Sequence, residues 1–140
     1  MKFYDQTEFS DPENNIKGNC LSACLASILD IDIKEIPNFC YFGNNWASEF
    51  SKFIYKAGYN LDGSYYFKGL ENDLREWADL LTLSSGVDGV FIVGGPSPRF
   101  NGNIHHAVLY KDNKLLHDPH PSRDSITVLR YAFLITKQNN

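Results

Sequence analysis

Apolar residues in the first third of the chain recur at helical spacing. "CLSACLASIL", residues 20–29, sets Leu21, Cys24, Leu25, Ile28 and Leu29 at i, i+3, i+4, i+7 and i+8, one stripe that predicts an α-helix. Asn19 precedes it as the expected N-cap, and Gly18 allows a tight entry. Cys20, Ala23 and Ser27 on the flank of the stripe are small, so that side can approach a sheet closely. Pro37 discourages continuation through "IDIKEIPNF". The same period returns in "WASEFSKFIYKAGY", residues 46–59, with Trp46, Phe50, Phe53 and Ile54 on one face, and in "ENDLREWADLL", residues 71–81, with Leu74, Trp77 and Leu81. Both tryptophans are expected in the core. The second half changes period: "GVFIVGG", "IHHAVLY", "KLLHD" and "ITVLRYAFLIT" read as strands separated by Gly, Pro, Asn and Asp. Gly94 and Gly95 lack the lysine and spacing of a phosphate loop and read as a turn. Helices first and an antiparallel sheet after predict an α+β fold with the first helix packed on the sheet.

Composition narrows the function. With 140 residues, 43% hydrophobic and 14% aromatic, residues 1–140 are expected to form a single domain. The formal net charge is -4 and the 13 Lys and Arg are scattered, so neither nucleic acid nor an anionic membrane is an expected partner. No apolar run approaches the roughly 18 residues of a spanning helix, and "MKFYDQTEFSDPENN" lacks the apolar core of a signal peptide. A cytoplasmic location is the expectation. Three cysteines, an odd number, point to reduced thiols rather than a disulfide framework.

Two groups of residues carry candidate chemistry. Cys20 is expected as the first residue of its helix, where unpaired N–H groups and the positive dipole end favour a thiolate. Cys24 belongs to the apolar stripe, and Cys40 is read as structural. All four histidines lie within "HHAVLYKDNKLLHDPHPS", residues 105–122. His117 and His120 are spaced as a metal-ligand pair, but His105 and His106 are consecutive in an expected strand and point to opposite faces. Three histidines with Asp118 remain the rival zinc reading; the expectation is no metal and no cofactor. Hairpin register decides which histidine meets Asp118. A three-residue loop of Lys111, Asp112 and left-handed Asn113 pairs Tyr110 with Lys114 and sets His106 directly opposite Asp118. A two-residue Asp112–Asn113 turn instead places Asp118 with His105 and Ala107. The absence of Asn-Gly or Asp-Gly favours the longer loop, hence His106 as a base oriented by Asp118.

A cysteine at a helix start, a histidine opening one strand and an Asp-Pro ending the next resemble the papain-like cysteine hydrolases. Within that group the chain is similar to the peptidase domain of bacteriocin-exporting transporters. "GNCLSACLASIL", "HAV" and "HDPHPS" more closely resemble short papain-like proteins of bacteria and their phages. The resemblance covers roughly residues 4–40 and 88–124, including "SPR" at 97–99. It implies Cys20 as nucleophile, His106 as general base and acid, and Asp118 as the orienting carboxylate. It also implies a glutamine that helps hold the oxyanion, commonly six residues ahead of the nucleophile, where this chain has Asn14. Gln6 serves if "SDPENNIKG" loops out between; Asn14 and Asn15 are the alternatives. The implied partner is a peptide, a protein or an amide-containing small molecule, cleaved through a thioester. Arg99, after "GGPSP", and His120, in a Pro-bracketed loop, are candidate substrate contacts, against roles in fixing or decorating loops. The rival function is a catalytically silent binding module that sequesters a peptide, partner protein or small ligand, with phage counter-defence as one setting.

Overall fold

A computed structural model describes residues 1–66, 86–100, 104–112 and 114–139 of the chain. Helix α1 is Cys20–Leu29, the span the apolar stripe predicts. Ser22 through Leu29 are all buried, because the flank opposite the stripe is made of small residues that let the sheet approach. The helix ends at Asp30, whose left-handed backbone (φ 57°) returns its N–H to the Ala26 carbonyl. Helix α2, Trp46–Lys56, buries Phe50 and Ile54 and stops short of the expected Tyr59. Gly58, at φ 94°, takes the chain out of the helix, and Tyr59–Tyr66 runs on as an unexpected strand, β1. The helix expected over residues 71–81, with Trp77, lies outside the described residues.

Strands β2 (Val90–Pro96), β3 (His105–Lys111), β4 (Lys114–His117) and β5 (Tyr131–Lys137) complete the sheet. The order is β1-β5-β2-β3-β4, antiparallel at each pairing. This is a mixed α+β architecture with α1 packed across β2 and β3, and α2 against β1. On the helical side Leu25, Phe50 and Ile54 meet Ile92, Ala107, Leu109, Phe133 and Ile135. Each such large side chain, removed from water, stabilises the fold by about 1.5–3 kcal/mol. Trp46 joins this layer against Phe50 and Phe133.

The opposite side of the sheet corrects the strand expected over residues 126–136. Only its second half pairs as β5; Ile126, Val128 and Leu129 instead cross the back of the sheet and bury against Phe91, Val93, Val108 and Leu134. An apolar run satisfies either arrangement, and covering the bare face removes more apolar surface from water than extending an edge. Gly94 and Gly95 are likewise strand residues of β2, not a turn. A Cβ on Gly94 would stand 1.8 Å from the Tyr131 ring, and one on Gly95 would stand 2.0 Å from the Val128 carbonyl oxygen. These glycines are where β5 and the crossing segment press onto β2. No helix among the described residues is long and apolar enough to cross a membrane.

Gly94→Ala tests this packing. The urea midpoint should fall, at unchanged slope, by the equivalent of about 1–3 kcal/mol, the usual cost of overpacking. An unchanged midpoint would mean that the Tyr131 ring can leave freely.

Candidate active site

The β3–β4 hairpin corrects the expected loop. Lys111 pairs with Lys114 and Tyr110 with Leu115, so only Asp112 and Asn113 join the strands. Asp112 is left-handed (φ 53°), a conformation Asp tolerates without a following glycine; Asn113 lies outside the described residues. That turn alone would put Asp118 on the side of His105 and Ala107. A bulge intervenes: Leu109 pairs with His117 rather than Leu116, and the extra residue restores the alternation. Asp118 follows just past the pairing, on the side of Val108 and His106, rather than directly opposite His106. His106 Nε2 lies 2.6 Å from Asp118 Oδ1, with both side chains buried.

Asp118 is 1% exposed, so its charge depends on partners. Oδ1 also accepts from the His120 N–H at 2.9 Å, and Oδ2 accepts from the Ser125 N–H at 2.7 Å. Burial alone would raise its pKa; the bonds from His106, His120 and Ser125, with the imidazolium charge, outweigh it and hold the carboxyl at about 2. For His106 burial disfavours the proton, but the bond to Asp118, the nearby Cys20 side chain and the charges of both raise the pKa from 6.5 to about 9. Cys20, half-buried at the first position of α1, lines the same cleft as His106 and is near enough to raise its pKa. Nε2 is occupied by Asp118, which leaves Nδ1 as the ring nitrogen not engaged by the carboxylate.

Asn19 departs from its expected role, since its side chain makes no N-cap bond. Its Oδ1 accepts from the N–H groups of Thr7 and Glu8, both at 2.9 Å, and its Nδ2 donates to Thr7 Oγ1 at 2.9 Å. Asn19 therefore fastens the N-terminal segment beside Cys20 and leaves the first turn of α1 without a side-chain cap. Between them the chain makes a surface excursion, closed by a bridge between Asp11 and Ile16 around the turn Pro12–Asn14. The excursion brings Gln6 back to the site. Gln6 is buried, donates from Nε2 to the Glu8 carbonyl at 2.9 Å, and keeps Oε1 buried without a partner. Gly18 packs on it, since a Cβ there would stand 3.3 Å from Gln6 Nε2. Asn14 is exposed and bonded to Asp11, away from the cleft, whereas Asn15 reaches its rim.

Gln6, Cys20, Cys40, Arg99, His106 and His120 share one cleft of about 500 Å³. Cys40, expected to be structural, is exposed on its wall. Arg99 both lines the cleft and braces a loop, donating from Nη1 to Ser122 Oγ at 2.9 Å. His120 accepts the Ser122 N–H on Nδ1 at 3.0 Å; burial, Arg99 and His106 lower its pKa, which favours the neutral ring. His105 also lines the cleft, whereas His117 is not among its lining residues. His117 Nε2 lies 2.9 Å from Asp5 Oδ1 with its ring stacked on Phe3, and His105 stacks on Tyr131. Among the described residues no three His, Cys, Asp or Glu side chains group as a metal ion would require.

One further residue, Arg123, carried no local sequence signal. Its Nη1 donates to the Asp118 carbonyl, and Nη1 and Nη2 grip the Asp5 carboxylate at 2.7 and 3.0 Å. Asp5 is next to Gln6, whose N–H donates to the Pro119 carbonyl at 3.0 Å. The ion pair thus ties the Gln6 segment to the Asp118 loop. No protein-family model, curated protein or solved structure matches the chain.

The two shifted groups set a pH window. Stability from His106 is fully present below pH 6.5 and is lost as pH rises through about 9; stability from Asp118 is present above pH 3.8 and is lost as pH falls towards about 2. Urea unfolding at pH 2.5, 5 and 9.5 should give the highest free energy at pH 5, and Asp118→Asn should flatten both limbs. Parallel profiles for the two proteins would contradict the pairing.

Proposed function

We infer that the chain is a papain-like cysteine hydrolase that cleaves a peptide, isopeptide or other amide bond through a Cys20 thioester. The observation that carries this reading is that Cys20, at the first position of α1, and His106 line one cleft, with the imidazole bonded from behind to the buried Asp118 carboxylate. A carboxylate held at about 2 cannot take the proton, so Asp118 orients the imidazole and stabilises its charge. His106, raised to about 9, favours the imidazolium, the neighbour that a nucleophilic cysteine needs.

In the proposed reaction the thiolate attacks the acyl carbon, and the tetrahedral oxyanion accepts from the Cys20 backbone N–H and the second N–H of Gln6 Nε2. The imidazolium gives its proton to the leaving amine. A water then loses a proton to His106 and attacks the thioester, which frees the acid and restores the thiol pair. Gln6, rather than Asn14, supports the oxyanion role, because it is buried in the cleft with one amide N–H uncommitted.

4-Nitrophenyl acetate tests the chemistry without knowledge of the natural substrate. The expected result is a stoichiometric burst with the acetyl group on Cys20, absent in Cys20→Ala. Gln6→Ala should slow acylation roughly 100- to 1000-fold, the usual cost of one oxyanion donor, with the thermal midpoint little changed. Acetylation no faster than for a free thiol, in a protein whose biological effect survives Cys20→Ala, would favour the binding module instead.

A further inference from the structure

We propose that the cleft takes an acyl substrate carrying an anionic group, held to one side of Cys20 by Arg99 and Lys17. This rests on the hydrolase reading and adds the chemical class of its substrate. The chain as a whole is acidic, with a net charge of -4. Yet among the described residues lining the cleft there is no Asp or Glu, while Lys17 and Arg99 both line it. The charge is therefore segregated, and a cleft with one sign of charge and low-dielectric walls concentrates counter-ions. Apolar walls are present in Phe9, Ile16, Phe100 and Ile104.

The two cations differ in how they are held. Arg99 makes its guanidinium bond to Ser122 through Nη1, and its Nε is buried with no protein partner. Buried donors without an acceptor are uncommon, and a turn of the side chain that opens Nε to the cleft would let an oxygen anion supply what is missing. The Nε and Nη2 edge of a guanidinium matches two oxygens of one carboxylate or phosphate. Asp124 stands 3.9 Å from Nη1, beyond hydrogen-bond length and half exposed, so it offsets the charge only in part. Lys17 is fixed at its backbone: its N–H donates to Tyr41 Oη at 3.0 Å and its carbonyl accepts from Asn38 Nδ2 at 2.9 Å. Its side chain lines the cleft, and its positive charge acts on the Cys40 thiol there to lower a pKa that burial raises. The imidazolium of His106 adds little net field, since Asp118 compensates it.

Alkylation of Cys20 by iodoacetate and by iodoacetamide, at one pH and low salt, reads this field, because the reagents differ mainly in charge. The iodoacetate-to-iodoacetamide rate ratio at Cys20, divided by that of free cysteine, should be raised about 3- to 10-fold. It should shrink with added salt and fall in Lys17→Gln and Arg99→Gln; the exposed Lys17 keeps the test open if the Arg99 variant misfolds. Slowing of the iodoacetamide reaction by succinate assigns a carboxylate and slowing by inorganic phosphate assigns a phosphate; slowing by neither overturns the proposal. A ratio equal in wild type and variants, with Cys20 reactive, overturns it while the hydrolase reading stands. A Cys20 unreactive to both reagents overturns the reading beneath it as well.

Discussion

The carboxylate of Asp118 is the interaction on which the site depends. A charge almost fully shielded from water must be paired or it destabilises the fold by several kcal/mol. Three donors supply the pairing here: the His106 ring and the N–H groups of His120 and Ser125. To present those N–H groups the loop after β4 adopts left-handed backbone at Arg123 (φ 56°) and Ser125 (φ 64°), each costing about 1–2 kcal/mol. The loop "DPHPSRDS" is thus wrapped around one buried anion. Removal of that anion would leave two donors unpaired, a strained turn unsupported and the imidazole free to rotate.

The Cys20 side of the site is assembled by different means. Helix α1 carries Cys20 into the layer between sheet and cleft because its sequence combines an apolar stripe with small residues, allowing burial on nearly all sides. Asn19 then uses its side chain to hold residues 7 and 8 rather than to cap the helix. This brings Gln6 into the cleft that Cys20 lines, and Asp5 with Arg123 secures the same segment to the Asp118 loop. Two polar clasps therefore set the distance between the candidate oxyanion donor and the candidate triad. Surface ion pairs such as Asp5–Arg123 contribute little stability; the value of this one lies in registering two segments far apart in sequence.

Much of this was legible where the signal is local. The extent of α1 follows from five apolar positions at helical spacing, and His106, Asp118 and Cys20 follow from strand alternation and helix position. The hairpin reached the expected partnership by an unexpected path: Asp112 accepts a left-handed turn without glycine, and the bulge at Leu116 corrects the register. No short-range pattern encodes that bulge, because it answers to the burial of Asp118. Strand β1 was missed because aromatic periodicity ran through Gly58, whose positive φ ends the helix. Residues 126–129 read as strand because apolar runs serve edge pairing and face covering alike. Arg123 carried no signal and Asn19 read as a helix cap, since the partners of both lie outside their local sequence.

The central claim is that Cys20 and His106 form an ion pair, and the rate of Cys20 alkylation by iodoacetamide against pH tests it most directly. Peptide mass spectrometry would resolve the three cysteines in the native protein and in His106→Ala. The account predicts that Cys20 alone reacts fast below about pH 7 and loses that advantage without His106. A Cys20 that titrates like an ordinary thiol, with a pKa of about 8.5 in both proteins, would contradict it.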